Sequence, residues 1–302
     1  MTRRNLALAL AVYALCLAPA AFAQKPDAPK QLMIPTGMTI ERDLAYVPNG
    51  HEREKLDLYL PAGADKAATP LPLIVWIHGG GWEAGSKDRP PALPLVADGY
   101  ALASINYRLS QHAVFPAQIE DCKAAIRWLR ANSKKYNYDP NRIGVFGASA
   151  GGHLVALLGT TADVKDFDNC GGNADQSSGV QCCVDWFGPT DFMHIGNELD
   201  KPDSPVSKLL GGPVKEHKDL AAKASPVTYV NKNAAPFLIM HGDKDPLVPI
   251  HQSEELEAAL KKAGVEVTFQ AIAGAGHGFG AKTIELAVPI REFFDKHLKA
   301  AK

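Results

Sequence analysis

A serine between glycines, in the segment GASAG at residues 147–151, is the first feature of this sequence that could do chemistry. The segment lies between the short apolar run Arg142–Phe146 and a helical pattern that continues through Leu158. A sharp strand-to-helix turn forces such a serine into strained backbone geometry, and the glycines remove side chains that would collide there. Ser149 is therefore predicted to be a nucleophile at the head of a helix.

A serine hydroxyl is a poor nucleophile at neutral pH, so a base should lie elsewhere in the chain. His277 sits in the glycine-rich segment GAGHGF at 274–279, directly after an apolar strand pattern, and the glycines leave its imidazole free to reach sideways. The other histidines lie in polar or helical surroundings or beside loops. For His78 and His241 the expected role is structural, holding a loop by hydrogen bonds, which leaves His277 as the predicted base.

Three aspartates compete for the role of the acid that orients the base. Asp243 and Asp245 follow the buried strand pattern Phe237–Met240, and Asp191 follows the strand pattern Val180–Phe187. Each would lie at the carboxyl end of a strand, and each gives the chain order Ser, Asp, His. Asp245 is the preferred acid, with Asp191 and Asp243 as alternatives. The two aspartates that are not the acid are expected to stabilise a turn or cap a helix.

The oxyanion of a tetrahedral intermediate needs hydrogen-bond donors, each worth roughly 3 kcal/mol or more in a dry site. The backbone N–H of Ala150, directly after the nucleophile, is one predicted donor. The segment HGGGW at 78–82 follows an apolar strand pattern, and its glycines let the chain pass close to a substrate. Gly79 and Gly80 are the predicted donors, with Gly81 as an alternative. A phosphate-binding loop is not indicated, since no Lys-Ser/Thr follows.

The elements that carry these residues are predicted from the spacing of apolar residues. From residue 71 onward, strand-length apolar runs alternate with helical patterns, which indicates parallel β-α-β units. The predicted strands are Leu73–Ile77, Ala101–Tyr107, Arg142–Phe146, Val180–Phe187, Phe237–Met240 and Val265–Ile272. Two earlier runs, Thr39–Tyr46 and Glu54–Leu60, flank a Pro-Asn-Gly turn signal and are predicted to pair as an antiparallel hairpin.

The fold class that follows is α/β, with a mostly parallel central sheet, helices on both faces and the N-terminal hairpin. Apolar residues at three- and four-residue steps mark the helices, as at Ile119, Cys122, Ile126 and Leu129. The stretch 190–233 breaks the alternation with several prolines and glycines and no clear period. We expect it to be an insertion over the carboxyl end of the sheet.

Six segments together carry a resemblance to a known family: HGGGW at 78–82, NYR at 106–108, GASAGGH at 147–153, GPTD at 188–191, HGDKD at 241–245 and GH at 276–277. They resemble the α/β-hydrolase superfamily, and within it the hormone-sensitive-lipase-like and the bifunctional acetylxylan/feruloyl esterase-type groups. The resemblance implies the α/β-hydrolase fold and makes the second aspartate of HGDKD, Asp245, the acid. Ala148 stands where the lipase-like esterases usually carry aspartate, and Trp82 follows the glycines; both features favour the acetylxylan/feruloyl group.

Composition is that of a globular enzyme-sized domain. The 302 residues are 46% hydrophobic and 22% charged, with a formal net charge of -1, so nucleic acid and anionic membranes are not expected partners. Residues 24–302 are predicted to form one catalytic domain acting on a small-molecule or polysaccharide-linked ester, with no cofactor or metal. Nothing in the sequence specifies an oligomeric state.

Residues 1–23 have the layout of a secretory signal peptide. Arg3 and Arg4 precede an apolar run from Leu6 to Phe22, and the small-residue pattern of Ala21 and Ala23 suits cleavage before residue 24. The protein is therefore predicted to be secreted or periplasmic, without a membrane anchor once the signal is removed.

Four cysteines follow the predicted signal peptide, in a compartment where disulfides persist. Cys170 lies in a polar loop and Cys182 opens an apolar strand, so a disulfide between them is predicted to staple the loop to the sheet. Cys122 and Cys183 are expected to be small buried hydrophobes. No CxxC pair is present, so the cysteines are not expected to bind metal.

The sequence predicts an exported serine carboxylesterase that cleaves short-chain acyl or aryl esters, such as acetyl or feruloyl groups on plant polysaccharides. One alternative is a peptidase or amidase of the same fold, and another is a non-catalytic binding protein. The complete set of nucleophile, base, acid and oxyanion segments favours the esterase.

Overall fold

Eight strands form one sheet in the computed structural model, which describes residues 37–196 and 201–299. The predicted signal peptide, residues 1–23, lies outside the described residues. The strands are β1 (Thr39–Ala45), β2 (Lys55–Leu60), β3 (Leu71–Ile77), β4 (Ala101–Ile105), β5 (Tyr138–Ala148), β6 (Cys182–Trp186), β7 (Phe237–Gly242) and β8 (Val267–Ile272). Their order across the sheet is β1-β2-β4-β3-β5-β6-β7-β8.

Strands β3 to β8 are parallel, as the alternating pattern predicts. The apolar runs of β3, β4, β6 and β7 are buried on both faces, which is the usual environment of parallel strands, whereas β8, at the edge of the sheet, is more exposed. The hairpin of β1 and β2 is also confirmed, with Thr39 opposite Leu60. In addition β2 pairs antiparallel with β4, Leu56 opposite Ile105, so the hairpin continues the sheet.

Among the described residues, the α-helices that accompany the sheet are α1 (Ala117–Ala131), α2 (Ser133–Tyr136), α3 (Ala150–Thr160), α4 (Pro205–Leu210), α5 (Lys218–Ala224), α6 (His251–Lys262) and α7 (Ala287–Leu298). The core on one face joins Ile126 of α1 and Leu154 of α3 to Val145 of β5. On the other face Phe294 of α7 lies against Phe146. Since successive strand residues point to opposite faces, helices cover both sides of the sheet, as predicted.

In the stretch 190–233, the described residues 190–196 and 201–233 form α4, α5 and short 3-10 helices at Phe192–His194, Val214–Glu216 and Pro226–Tyr229. The sequence analysis did not find these elements because helices of six and seven residues are too short for a helical period to show. Within the described residues no helix is both long and apolar enough to span a bilayer.

The predicted disulfide between Cys170 and Cys182 is wrong, since all four cysteines in the described part of the chain are free. Adjacent residues of β6 face opposite sides of the sheet. Cys183 faces α3, whereas Cys182 lies on the α7 side, where a Cβ added to Gly144 would meet both Cys182 Sγ and the Phe294 ring.

Cys170 lies on the side of α1, where its thiol contacts the carboxylate of Asp121 at 3.3 Å. The sheet therefore stands between the two sulfurs. Cys122 and Cys183 are buried in the core, as predicted.

Candidate active site

Ser149 occupies the turn between β5 and α3, with φ 57° and ψ −121°. This left-handed backbone is costly for any residue with a side chain. The surrounding chain leaves no room for other Cβ atoms: one on Gly147 would lie 2.4 Å from the carbonyl oxygen of Gly151, and one on Gly151 would lie 2.1 Å from that of Ile77. The N–H of Ser149 donates to the Trp186 carbonyl oxygen at 2.8 Å, which ties the turn to β6.

His277 and Asp245 meet beside this turn, with 2.7 Å between His277 Nδ1 and Asp245 Oδ2. The other carboxylate oxygen accepts the backbone N–H groups of Leu247 at 2.8 Å and Val248 at 3.0 Å. Burial opposes a charge on Asp245, but hydrogen bonds from His241 and His277 outweigh it and hold the pKa of this carboxyl well below its ordinary value. Asp245 is thus an anion beside the imidazole.

The two alternative aspartates are engaged elsewhere. Asp243 accepts the N–H of Gly274 at 2.6 Å and so closes a turn between two strand ends. Asp191 caps the short helix Phe192–His194, where it accepts the N–H of Met193 at 2.9 Å. These are the turn and capping roles that the sequence analysis expected of the losing candidates.

His241 supports Asp245 as well as its own loop. Its Nε2 lies 2.9 Å from the Val248 carbonyl oxygen and 3.2 Å from Asp245 Oδ2, and its Nδ1 lies 2.7 Å from Ser253 Oγ. A carbonyl only accepts, so the ring proton is on Nε2 and the serine hydroxyl donates to Nδ1. The predicted loop-holding role is confirmed, but the contact with Asp245 was missed; the spacing of four residues in HGDKD was its only signal.

The glycine loop after β3 passes directly against Ser149. A Cβ on Gly79 would lie 2.7 Å from the Ala148 carbonyl oxygen and 3.3 Å from Ser149 Cβ. Gly80 has φ 109° and Gly81 has φ 60°, conformations that favour glycine. Gly79, Gly80 and Ala150 all border the cavity that Ser149 lines, so the segments proposed for the oxyanion converge on one place.

His78 fixes the start of the glycine loop. Its Nε2 lies 3.1 Å from the Arg53 guanidinium, which can only donate, so the ring proton is on Nδ1 and bonds the Gly79 carbonyl oxygen at 2.7 Å. The ring also stacks on Tyr107 at 4.4 Å between centroids. Burial and the charge of Arg53 lower the pKa of His78 to about 4, against the Gly79 hydrogen bond. The predicted structural role of His78 is confirmed.

A second buried histidine fixes the end of the same loop. The indole Nε1 of Trp82 donates to His153 Nδ1 at 3.2 Å, and His153 Nε2 donates to the Ala224 carbonyl oxygen at 2.7 Å. His153 lies in α3, one turn after Ser149, and Ala224 ends α5. Burial lowers the pKa of His153 to about 4, so the ring is neutral at pH 7. The sequence analysis predicted no role for His153, since both of its hydrogen-bond partners lie 71 residues away in the chain, one before it and one after it.

The cavity at this site has a volume of about 600 Å³, within the range of roughly 300–1,000 Å³ typical of small-molecule sites. Apart from the glycine loop, its walls are mainly apolar side chains. They include Phe187, Pro189, Ile195, Val206, Leu247 and Val248. Ile195 and Val206 belong to the stretch 190–233, which therefore forms part of the wall beside Ser149.

Two groups of side chains in the described residues have metal-ligand chemistry, and neither borders this cavity. Glu54, Asp121 and Cys170 come together, but the guanidinium of Arg108 lies 2.6 Å from Asp121 and 3.4 Å from Glu54 and already supplies their cation. In the second group Asp191 pairs with His194 at 2.8 Å.

The sheet order, the serine at the strand-to-helix turn and the His277–Asp245 pair define the serine-hydrolase class of the α/β-hydrolase fold. Within that class the chain belongs to the BD-FAE family, whose model matches residues 56–260.

Named relatives and solved structures agree with this membership. Esterase LipQ of Mycobacterium tuberculosis is 33% identical over 256 residues, which are 82% of this chain and 58% of LipQ. Esterase LipC of the same organism is 31% identical over 245 residues, 77% of this chain and 60% of LipC. The chain thus spans less than two thirds of the length of these two relatives.

Two solved structures are similar over most of the chain. A truncated form of a carbohydrate esterase from gut microbiota has 35% identity and a TM-score of 0.81, covering 87% of this chain and 97% of that one. A bifunctional GH43-CE protein of Bacteroides eggerthii has 36% identity and a TM-score of 0.76, covering 85% of this chain and 38% of that one.

The buried, neutral His153 predicts a pH-dependent stability. Its pKa falls from 6.5 in the unfolded chain to about 4 in the fold, so the unfolded chain alone takes up this proton as the pH drops through that window. The associated stability is complete above pH 6.5 and is lost toward pH 4, by about 3 kcal/mol at 1.36 kcal/mol per pKa unit.

Urea unfolding of the wild type and of His153→Gln at several pH values measures this loss. Glutamine keeps one donor and one acceptor but does not titrate. The wild-type free energy of unfolding, minus that of the variant, should decrease by about 3 kcal/mol between pH 7 and pH 4. A difference that stays constant over this range would contradict the assignment of a neutral His153.

Proposed function

We propose that this protein hydrolyses carboxylic esters through an acyl-enzyme at Ser149. One observation carries the proposal: Ser149, in its strained turn, and His277, bonded to Asp245 at 2.7 Å, line the same apolar cavity. The names of the relatives support it, since LipQ and LipC are called esterases and the similar structure from gut microbiota is called a carbohydrate esterase.

The proposed proton path follows from the tautomer of His277. Its Nδ1 donates to Asp245, so Nε2 carries the lone pair that can accept the hydroxyl proton of Ser149. The serine oxygen then bonds the ester carbonyl carbon, and the carbonyl π electrons move onto oxygen. When the tetrahedral intermediate collapses, the C–O bond to the alcohol breaks and His277 gives its proton to the departing oxygen. Water repeats the sequence on the acyl-enzyme and releases the acid.

The two charges of this path have partners on the protein. The Asp245 anion stabilises the imidazolium that His277 becomes, and its own two N–H donors and His241 hold it in place. The oxyanion would lie at the N–H groups of Gly79, Gly80 and Ala150, where donors fixed before the reaction need no reorganisation.

The substrate proposed for this site is an ester with a short acyl or an aryl acid part, including acetyl or feruloyl groups on plant polysaccharides. The apolar walls of the cavity match the acid part of such an ester, and the volume is sufficient for an aromatic acid. Two neighbours by structure carry matching names: the carbohydrate esterase, and an acetyl ester-xyloside bifunctional hydrolase from Caldicellulosiruptor lactoaceticus, 30% identical with a TM-score of 0.68 over 80% of this chain and 87% of that one.

Removal of the nucleophile tests the proposal directly. Ser149→Ala should lower kcat on p-nitrophenyl acetate by about 10⁴-fold or more, because no other group attacks the carbonyl. Ser177→Ala, at a surface loop, serves as the control and should retain wild-type turnover.

A panel of acetyl, butyryl, octanoyl and feruloyl esters then ranks the acid part. Aminoacyl anilides cleaved faster than all of these esters would favour an amidase instead.

The identity of the acid gives a matched pair of variants. Asp245→Asn should lower kcat by about 10⁴-fold, since an amide N–H facing His277 Nδ1 moves the ring proton to Nε2 and removes the base. Asp243→Asn should change kcat little, because an amide oxygen still accepts the Gly274 N–H. Steady-state kinetics on p-nitrophenyl acetate decides, and a larger loss in the Asp243 variant would reverse the assignment.

Export is also proposed, on the basis of the basic start, the apolar run Leu6–Phe22 and the small residues before Gln24. The mass of the protein recovered from the periplasm or the medium of expressing cells should correspond to a chain that begins at Gln24. A chain retained in the cytoplasm with its first residues intact would contradict the proposal.

A further inference from the structure

The loop that carries His277 is open to its surroundings at several of its glycines. A Cβ added to Gly274, Gly278 or Gly280 would meet no atom within 4 Å. The hydrogen bond to Asp245 fixes the position of His277 Nδ1, but a hydrogen bond tolerates a range of angles, so an imidazole held at one atom can still swing. A second contact is therefore needed to fix the direction of Nε2.

The buried ring of Phe187 supplies this second contact. Its centroid lies 4.4 Å from that of the His277 imidazole, with 55° between the two ring planes. This distance is at the close end of the range of about 4.5–7 Å over which aromatic pairs attract. Phe279, two residues after His277, also packs on Phe187, at 4.9 Å between centroids. One side chain thus contacts both the imidazole and the loop beyond it.

The backbone at Phe187 is strained and firmly held. Its φ is 44°, an outlier for a residue with a bulky side chain. Its N–H donates to the Met240 carbonyl oxygen at 2.9 Å, and the residue before it, Trp186, accepts the N–H of Ser149 at 2.8 Å. The turn that carries Ser149 and the ring that contacts His277 are therefore joined through adjacent residues. Strain of this kind persists only where the surrounding structure enforces it, and it is concentrated at functional sites.

We infer that Phe187 is a positioning residue for the base: its ring holds the imidazole of His277 in the orientation in which Nε2 serves Ser149. The inference rests on the proposed ester hydrolysis and adds a residue to it. In that path His277 takes the proton of Ser149 and then gives it to the departing oxygen. Both transfers lose efficiency when the ring can swing away, since proton transfer needs the donor and acceptor within hydrogen-bond reach.

Phe187 also borders the cavity, so its two effects are separated with two acetates that share the acyl group. p-Nitrophenolate departs without a proton, whereas ethanol departs only when His277 protonates its oxygen. The ratio of kcat/KM for ethyl acetate to that for p-nitrophenyl acetate should therefore fall about tenfold in Phe187→Ala and about threefold in Phe187→Leu, whose side chain fills part of the space. Both values come from one preparation, so the ratio does not depend on the folded fraction.

Val206→Ala, which truncates the cavity wall on α4, is the matched control. Any loss it causes should be equal for the two esters, which leaves the wild-type ratio. The same result in both Phe187 variants, an unchanged ratio with or without a fall in the two rates, would overturn the inference, because Phe187 would then only shape the cavity. If the alanine variant does not fold, the leucine variant decides alone. Failure of the proposed function is distinct: Ser149→Ala would then hydrolyse both acetates as fast as the wild type.

Discussion

The backbone conformation of Ser149 is the constraint on which the rest of the site depends. The chain must turn from β5 into α3 at a single residue, and it does so at a φ of 57°. This backbone conformation is strained for a serine and persists only where the surrounding structure enforces it. Close packing enforces the strained conformation: Gly147 and Gly151 lie against backbone oxygens, and a carbonyl oxygen of β6 accepts the N–H of Ser149. The packing of the whole sheet therefore offsets the free-energy cost of this strained conformation. An isolated strand and helix could not maintain it.

Two buried neutral histidines hold the glycine loop at its ends, and they do so by the same means. His78 bonds Gly79 and is bonded by Arg53, whereas His153 bonds Ala224 and is bonded by Trp82. In each case a partner that can only donate decides which ring nitrogen keeps the proton. The loop between them consists of glycines that have little conformational preference of their own, so its shape is imposed from its ends.

Much of this arrangement follows from local sequence. The serine turn, the glycine loop and the segments of Asp245 and His277 each lie at the end of an apolar run, and parallel strands bring such ends to one edge of a sheet. Apart from the contact of His241 with Asp245, which spans four residues, the contacts that were missed join residues far apart in the chain. Trp82 and His153, or Glu83 and Lys208, carry no local pattern that relates them.

The one wrong pairing, Cys170 with Cys182, has the same origin. Their sequence positions allow a bond, and only the direction in which β6 presents alternate residues shows that the sheet separates them. The short helices α4 and α5 were invisible for a different reason, since their stability comes from packing on the domain and not from a periodic apolar face of their own.

In the loop at Leu247 and Val248, the backbone and the side chains make different contacts. Its N–H groups orient the Asp245 carboxylate, while its side chains face the cavity, and that of Leu247 is 58% exposed. Any residue except proline supplies the same N–H, so a change of side chain at either position leaves the hydrogen bonds to Asp245 in place. Such a separation of backbone from side-chain contacts is one physical route by which a single fold acquires cavities of different shape around the same polar residues.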